Sequence, residues 1–169
     1  MNKIRMIALA ACMAATLDAA AQEQEIRLFS HRGGRMEHDE NTLSAFQASY
    51  DAGYRGFETD IRMTRDGALV ITHDSSLERT TDGTGTVEEK TEAEIRRLHT
   101  KQGNKVLFLD ELLEFLKGKE GLYVEFEMKT KPEALYPEER LHAYCDKLYD
   151  AVMAVKPVSY THLTLPTNS

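Results

Sequence analysis

The sequence has little cysteine and fewer basic than acidic residues. It contains 2 cysteines, 21 lysines and arginines, and 28 aspartates and glutamates, for a net charge of -7. Export would remove Cys12 with an N-terminal signal, and Cys145 alone cannot form an intramolecular disulfide. A nucleic-acid-binding protein needs a basic face, so the charge argues against that class. An anionic small-molecule substrate would need a locally positive site, which a bound cation could supply.

The sequence also lacks a hydrophobic run long enough to cross a membrane. Residues 6–17 are mostly apolar, but a membrane-spanning helix needs about 20 such residues. Two basic residues precede this run and three alanines follow it, ending at Ala21. This order is typical of a secretory signal peptide, so we assign residues 1–21 to one and expect export to the periplasm or the cell exterior. The segment Leu9–Cys12 also resembles a lipoprotein cleavage site, so lipid anchoring is an alternative.

Four short, largely apolar runs each end in titratable residues. Such runs are typical of buried strands, and helical patterns alternate with them, so we predict an α/β fold with a parallel sheet. In a parallel barrel, catalytic residues gather at the carboxyl ends of the strands. In chain order, the predicted strands are Ile26–Ser30, Arg55–Arg62, Ala68–His73 and Leu122–Lys129.

The residues after the first predicted strand have chemistry suited to a phosphate ester. His31 can transfer a proton near neutral pH, and the planar guanidinium of Arg32 matches phosphate oxygens. Gly33 and Gly34 allow close backbone approach or a positive φ. A strand followed by an ordinary polar turn would account for these four residues equally well.

Several motifs occur together and in order. They are His31-Arg32-Gly33, Glu40-Asn41-Thr42, Glu58-x-Asp60, His73-Asp74, Leu77-Glu-Arg-Thr-Thr81 with Gly83 and Gly85, and Glu127-x-Lys129. With these motifs, residues 26–156 resemble the glycerophosphodiester phosphodiesterase family. The resemblance implies a TIM-type (β/α) barrel. Asp39 departs from the family, which usually has proline at this position, and we expect the change to affect loop stiffness and little else.

The resemblance implies a metal site built from carboxylates. Glu58 and Asp60 are two apart on one strand, so both leave the same face, about 7 Å apart. Together with Glu127, they would repel each other unless a cation lay between them. Oxygen ligands favour Mg²⁺ or Ca²⁺ over zinc. A solvated strand end is the alternative for each carboxylate taken alone.

The same resemblance assigns the remaining site residues. His31 and His73 are the acid/base candidates, because phosphodiester cleavage requires one proton to be taken and another to be given. Arg32 and Lys129 would bind the phosphate oxygens as charge develops. Asp74 would orient a neighbour or cap the loop, and Glu40 would either extend the metal site or hold its own loop. The residues alone do not distinguish the base from the acid.

The implied reaction is metal-dependent hydrolysis of a small-molecule glycerophosphodiester to glycerol 3-phosphate and an alcohol such as choline or ethanolamine. One alternative is a related barrel phosphodiesterase acting on phosphoinositides or lysophospholipids. The other is an inactive truncated fragment, because half a barrel exposes its apolar inner face. The sequence gives no prediction of oligomeric state.

Helical spacing predicts four helices. We expect one from an Asn41 or Thr42 cap to Gly53, and others at Thr91–Leu98, Leu109–Leu116 and Tyr136–Val155. Ser75–Glu89 reads as a long loop, and long ordered loops tend to be functional. In the family this loop starts an insertion that covers the barrel mouth.

The pattern breaks after Lys156. A barrel of this type needs about 250 residues, and only four strands are evident. We therefore predict that residues 22–156 form about the first half of the barrel. We expect residues 157–169 to be a tail that does not belong to the fold, since they resemble translated vector sequence. A half-barrel that dimerises through its open sheet edge is the alternative.

Overall fold

A computed structural model describes residues 27–155 and 160–164. The strands are β1 (Phe29–His31), β2 (Gly56–Met63), β3 (Leu69–Ile71), β4 (Tyr123–Met128) and β5 (Tyr160–Thr164). The helices are α1 (Leu43–Asp51), α2 (Glu92–Ile95), α3 (Leu109–Leu116) and α4 (Glu138–Val155), with short 3-10 turns at Val87–Glu89 and Glu133–Leu135. The predicted signal peptide lies outside the described residues. None of the described helices has the length and apolar character needed to cross a membrane.

Four strands run parallel in the order β1-β2-β4-β5, with helices between them along the chain. This arrangement is an arc of a (β/α) barrel, as the sequence predicts. The strand register aligns His31 with Glu58, and Asp60 with Glu127. Paired residues on neighbouring strands direct their side chains to the same face, so these four residues share the inner face of the arc.

The third predicted strand differs from expectation, because β3 runs antiparallel to β2. Only the turn at residues 64–68 separates the two strands, which is too short for a parallel crossover, so the chain must return as a hairpin. Gly67 allows this turn with a φ of 87°. The hairpin still brings His73 to the level of the site, because the Thr72 amide donates to the Asp60 carbonyl at 3.0 Å.

The main hydrophobic core lies on the outer face of the arc. Along β4, Val124, Phe126 and Met128 are buried and alternate with half-buried neighbours, so one face of the strand packs against helices. Phe46 of α1 and Leu148 of α4 belong to the same core. A second, smaller core lies under the segment that follows β3. Its members are Ala68, Val70, Leu77, Val87, Ile95, Val106 and Phe108.

The helices largely match the predicted positions. The Thr42 hydroxyl accepts a hydrogen bond from the Ala45 amide at 3.2 Å, so Thr42 is the cap of α1. Thr91 caps α2 as expected, but that helix ends at Ile95, three residues earlier than predicted. Helix α3 matches its predicted bounds, and α4 begins directly after Pro137.

Two expectations about the sheet edges are corrected. The first predicted strand is not fully buried, because Phe29 lies on the inner face and is 36 % exposed. Residues 160–164, assigned to a tail outside the fold, form β5 and pair in parallel with β4. A sheet edge offers unpaired backbone groups to any extended segment, and tyrosine and threonine favour the extended state. The foreign origin of residues 157–169 stays a prediction.

Candidate active site

Three carboxylates converge on the inner face of β2 and β4. Glu58, Asp60 and Glu127 each place one oxygen within 4.8 Å of the others. Glu58 and Asp60 alternate on β2, and Glu127 lies opposite Asp60 on β4. The strand period and the parallel register together therefore assemble the predicted metal-ligand set.

The carboxylate oxygens of this cluster suit a hard divalent cation as ligands. Asp60 is fully buried; its Oδ2 accepts from the Asn41 amide at 2.9 Å, whereas its Oδ1 has no hydrogen-bond partner among the described residues. Lys129 Nζ lies 3.1 Å from that Oδ1 without hydrogen-bond alignment, and donates to Glu127 Oε1 at 2.6 Å. A buried, incompletely satisfied carboxylate beside two others matches the oxygen ligation of Mg²⁺ or Ca²⁺.

The crowding of buried carboxylates in this cluster changes the pKa of Glu58. Burial, followed by the negative charge of Asp60, raises the pKa of Glu58 to about 7. The Arg32 backbone amide donates to Glu58 Oε2 at 3.1 Å, which partly offsets the rise. Glu58 therefore titrates near neutral pH, and a bound cation would displace its proton.

Arg32 connects the loop after β1 to the cluster. Its backbone has a φ of 53°, and its guanidinium lies 3.0 Å from Asp60 Oδ2 and 3.3 Å from Glu40 Oε1. The predicted phosphate-binding residue is thus held among carboxylates, with 9 % of its side chain exposed. Gly33 permits this loop, because a Cβ there would lie 2.8 Å from the Ala45 Cβ.

His31 stands at the open side of the cluster. Its Nε2 lies 3.6 Å from Glu58 Oε2, and about half of the side chain is exposed. Partial burial, followed by the positive charges of Arg32 and Arg35, lowers the pKa of His31. In the metal-free site its imidazole is therefore neutral near pH 7, with a nitrogen that can accept a proton.

His73 is held by its neighbour Asp74. Its Nδ1 lies 2.6 Å from Asp74 Oδ1, while Arg79 Nε donates to the other oxygen of that carboxylate. Burial alone would raise the pKa of Asp74, but the hydrogen bonds from Arg79 and His73 outweigh it and lower the pKa to about 2. Asp74 is thus an acceptor at neutral pH, so Nδ1 of His73 carries a proton and Nε2 is left for other contacts.

Asn41 is a site residue that the sequence interpretation missed. The sequence predicts it as a possible helix cap, but it precedes the cap, has a φ of 57° and is buried. Its side-chain amide donates to Asp60, and its carbonyl accepts from the Thr59 hydroxyl at 3.3 Å. Asparagine tolerates a positive φ better than most residues. An asparagine directly before a helix cap is therefore a weak sequence signal for this backbone conformation.

Glu40 and Arg79 form a second link around the site. Arg79 donates to both oxygens of Glu40, at 2.7 and 3.1 Å. The Arg79 hydrogen bond is the largest of the effects that lower the pKa of Glu40. Of the two roles considered for Glu40, the contacts support the loop-holding one. Arg79 belongs to the Leu77–Thr81 motif, but the sequence interpretation gave it no role at the site.

Asp39 does more than alter the stiffness of its loop. Its Oδ2 accepts from Asn104 Nδ2 at 2.9 Å and also from the Thr100 hydroxyl. These contacts fasten the turn at residues 100–104 to the loop that carries Glu40. The expectation that replacing proline here has little effect is therefore wrong for this chain.

Comparisons with known proteins identify the family of this chain. The model of the glycerophosphoryl diester phosphodiesterase family matches residues 31–158. A glycerophosphodiester phosphodiesterase of Caldanaerobacter subterraneus is 36 % identical over 123 residues, which cover 68 % of this chain and 50 % of the relative. Human glycerophosphodiester phosphodiesterase 1 is 40 % identical over 83 residues, covering 49 % of this chain and 25 % of the relative.

Solved structures give the same result for the fold. A glycerophosphodiester phosphodiesterase from Agrobacterium tumefaciens matches with a TM-score of 0.67 and 30 % identity, over 85 % of this chain and 59 % of the other. A glycerophosphoryl diester phosphodiesterase from Parabacteroides distasonis matches with a TM-score of 0.61 and 28 % identity, over 83 % and 47 %. The chain thus spans about half the length of the bacterial proteins it matches.

Proposed function

The chain belongs to the glycerophosphoryl diester phosphodiesterase family, and from this membership we propose that its site serves metal-dependent hydrolysis of glycerophosphodiesters to glycerol 3-phosphate and an alcohol. The observation that carries the proposal is the carboxylate cluster of Glu58, Asp60 and Glu127 beside His31. The matched range, residues 31–158, contains every predicted site residue. The relatives named above carry this activity in their names.

The carboxylate cluster would hold the cation. Glu58, Asp60 and Glu127 supply oxygen ligands of the kind that Mg²⁺ and Ca²⁺ prefer. When bound, such an ion supplies positive charge that polarises a phosphoryl oxygen. Asn41 holds Asp60 through Oδ2, and Oδ1, which has no hydrogen bond among the described residues and lies 3.1 Å from Lys129 Nζ, would bind the cation.

The two histidines divide the proton transfers. One accepts the proton of the attacking hydroxyl, from water or from the glycerol 2-hydroxyl, and the other donates a proton to the departing alcohol. His31 is about half exposed and His73 about a third exposed, so both are accessible to a ligand. Arg32 and Lys129, which already lie at the cluster, stabilise the negative charge on the phosphate oxygens.

We also propose that the protein is exported. The supporting observation is the order of basic, apolar and small residues in positions 1–21. A cell fractionation experiment with an antibody against the chain would test this, and recovery in the cytoplasm alone would contradict it.

The activity is tested with the purified chain, glycerophosphocholine and glycerophosphoethanolamine, with Ca²⁺, Mg²⁺ or a chelator present. We expect metal-dependent release of glycerol 3-phosphate. His31→Ala should abolish turnover but keep metal binding, measured as a rise in melting temperature, whereas Asp60→Asn should lose both. His142→Ala, on α4, is the matched control and should behave like the original chain.

Two outcomes would overturn parts of the proposal. A chain that folds and binds metal but hydrolyses neither substrate would contradict the substrate class. Normal turnover by His31→Ala would remove His31 from the reaction. Circular dichroism of each variant ensures that only folded proteins are compared.

A further inference from the structure

Arg79 joins the two sides of the site through two carboxylates. It lies in the loop after β3 and donates from Nε to Asp74 and from its two Nη atoms to Glu40. Glu40 lies in the loop after β1, which is 39 residues away along the chain. One side chain therefore connects loops that follow two different strands.

Each of these carboxylates also contacts a proposed catalytic or phosphate-binding side chain. Asp74 Oδ1 lies 2.6 Å from His73 Nδ1, and Glu40 Oε1 lies 3.3 Å from Arg32 Nη1. The contacts thus form an unbroken series from His73 through Asp74, Arg79 and Glu40 to Arg32. Charges alternate in sign along the last four members, so each contact is a charge-assisted hydrogen bond or a close ion pair.

We infer that Arg79 is a positioning residue that fixes the imidazole of His73, with its proton on Nδ1, and the guanidinium of Arg32 at the same time. Asp74 has one oxygen bound by Arg79, which orients the other oxygen toward the His73 ring. A carboxylate behind a histidine sets both the tautomer and the ring orientation. The effect of Arg79 on catalysis rests on the proposed function, whereas its effect on the tautomer of His73 does not.

The geometry requires arginine at this position. Three different nitrogens of the planar Arg79 guanidinium are used, and they reach two different carboxylates. A lysine has a single nitrogen on a flexible stem and cannot reproduce this arrangement. Arg79 is about half exposed, so its ion pairs contribute little to folding stability, and its variants should remain folded.

A purely structural role would be to anchor the loop after β3. That role predicts looser packing in an Arg79 variant but no specific change at His73. The state of the His73 ring therefore separates the two explanations, because the ring nitrogens report which of them carries the proton.

The experiment uses nuclear magnetic resonance of the full chain with ¹⁵N-labelled histidine, at about pH 8, where an ordinary imidazole is neutral. The His73 signals are identified by their loss in His73→Ala. We expect a single Nδ1–H tautomer in the original chain and a mixture of tautomers in Arg79→Met. Arg79→Lys should not restore the single tautomer. Arg65→Met, which removes an exposed ion pair to Glu94 away from the site, is the control and should leave His73 unchanged.

Turnover is measured in parallel. In Arg79→Met we expect a loss of about 10- to 100-fold in kcat/KM, the size expected when the partner behind a functional side chain is removed. A tautomer change in Arg79→Met supports the inference even if the chain hydrolyses no substrate, in which case only the proposed function fails. An unchanged His73 spectrum in Arg79→Met would overturn the inference.

Discussion

The ion pair between Arg62 and Glu88 is buried and couples three parts of the fold. The two side chains are 6 % and 1 % exposed, and Arg62 Nη1 lies 2.7 Å from Glu88 Oε1. Arg62 also donates to the carbonyl of His73 at 2.9 Å. Glu88 accepts from the Tyr136 hydroxyl and the Ser75 hydroxyl, each at 2.7 Å. The pair therefore joins β2 to the loop after β3 and to the segment before α4.

Removing one partner should destabilise the chain strongly. Arg62→Met leaves the Glu88 carboxylate buried without its counter-ion, which costs about 3–5 kcal/mol in free energy of unfolding. Glu88→Leu should cost a similar amount, because it leaves the Arg62 guanidinium buried without its counter-ion. The double variant removes both charges, so we expect a loss close to that of one single variant and hence a coupling energy of about 3–5 kcal/mol.

Urea unfolding monitored by circular dichroism measures these values. Arg65→Met is the matched control, because Arg65 and its partner Glu94 are 61 % and 47 % exposed, and its loss should stay below about 1 kcal/mol. Glu88→Gln keeps the side-chain volume and gives a milder test if the stronger variants unfold. Additive losses in the double variant, near the sum of the single ones, would refute the claim that the two charges depend on each other.

Three further predictions concern the site and its loops. Folding raises the pKa of Glu58 from its ordinary value of 4.5 to about 7. Protonation of Glu58 therefore stabilises the folded chain without bound metal below pH 4.5, and this stabilisation is lost as the pH rises through 7. Ca²⁺ affinity should accordingly rise up to about tenfold per pH unit below about pH 7 and then level off, and calorimetry showing no pH dependence would contradict this. Gly33→Ala should lower the free energy of unfolding by about 2–3 kcal/mol in urea, because of its φ of 76° and the contact with Ala45; an unchanged unfolding midpoint would count against it. Asp39→Ala should speed proteolytic cleavage near Asn104, whose hydrogen bond it removes. Equal cleavage rates would show that Asp39 does not hold this turn.

The sequence was sufficient to predict the carboxylate cluster. Residues two apart on a strand share a face, which placed Glu58 with Asp60. The family resemblance added Glu127, and the structure shows the pairing of β2 with β4 that brings it opposite Asp60. The helix bounds were similarly local, because the cap at Thr42 is a signal within a few residues.

The sequence was not sufficient for relations that depend on distant segments. The direction of β3 is an exception, because the turn at residues 64–68 is too short for a parallel crossover and was already evident in the sequence. The partners of Arg79 lie in two other loops, and an arginine in a polar loop usually reads as a solvated residue. The pairing of β5 depends on the open edge of β4 rather than on its own residues.

The register of β1, β2 and β4 has a mechanical consequence for the site. All three carboxylates and His31 are attached to adjacent strands, so their spacing is defined by the backbone hydrogen bonds of one small patch of sheet. Neighbouring strands lie about 4.8 Å apart and resist separation. A distortion elsewhere around the circumference would move the surrounding loops while leaving these four groups at their mutual distances. The distances that set the chemistry are thus independent of the loops that surround the site.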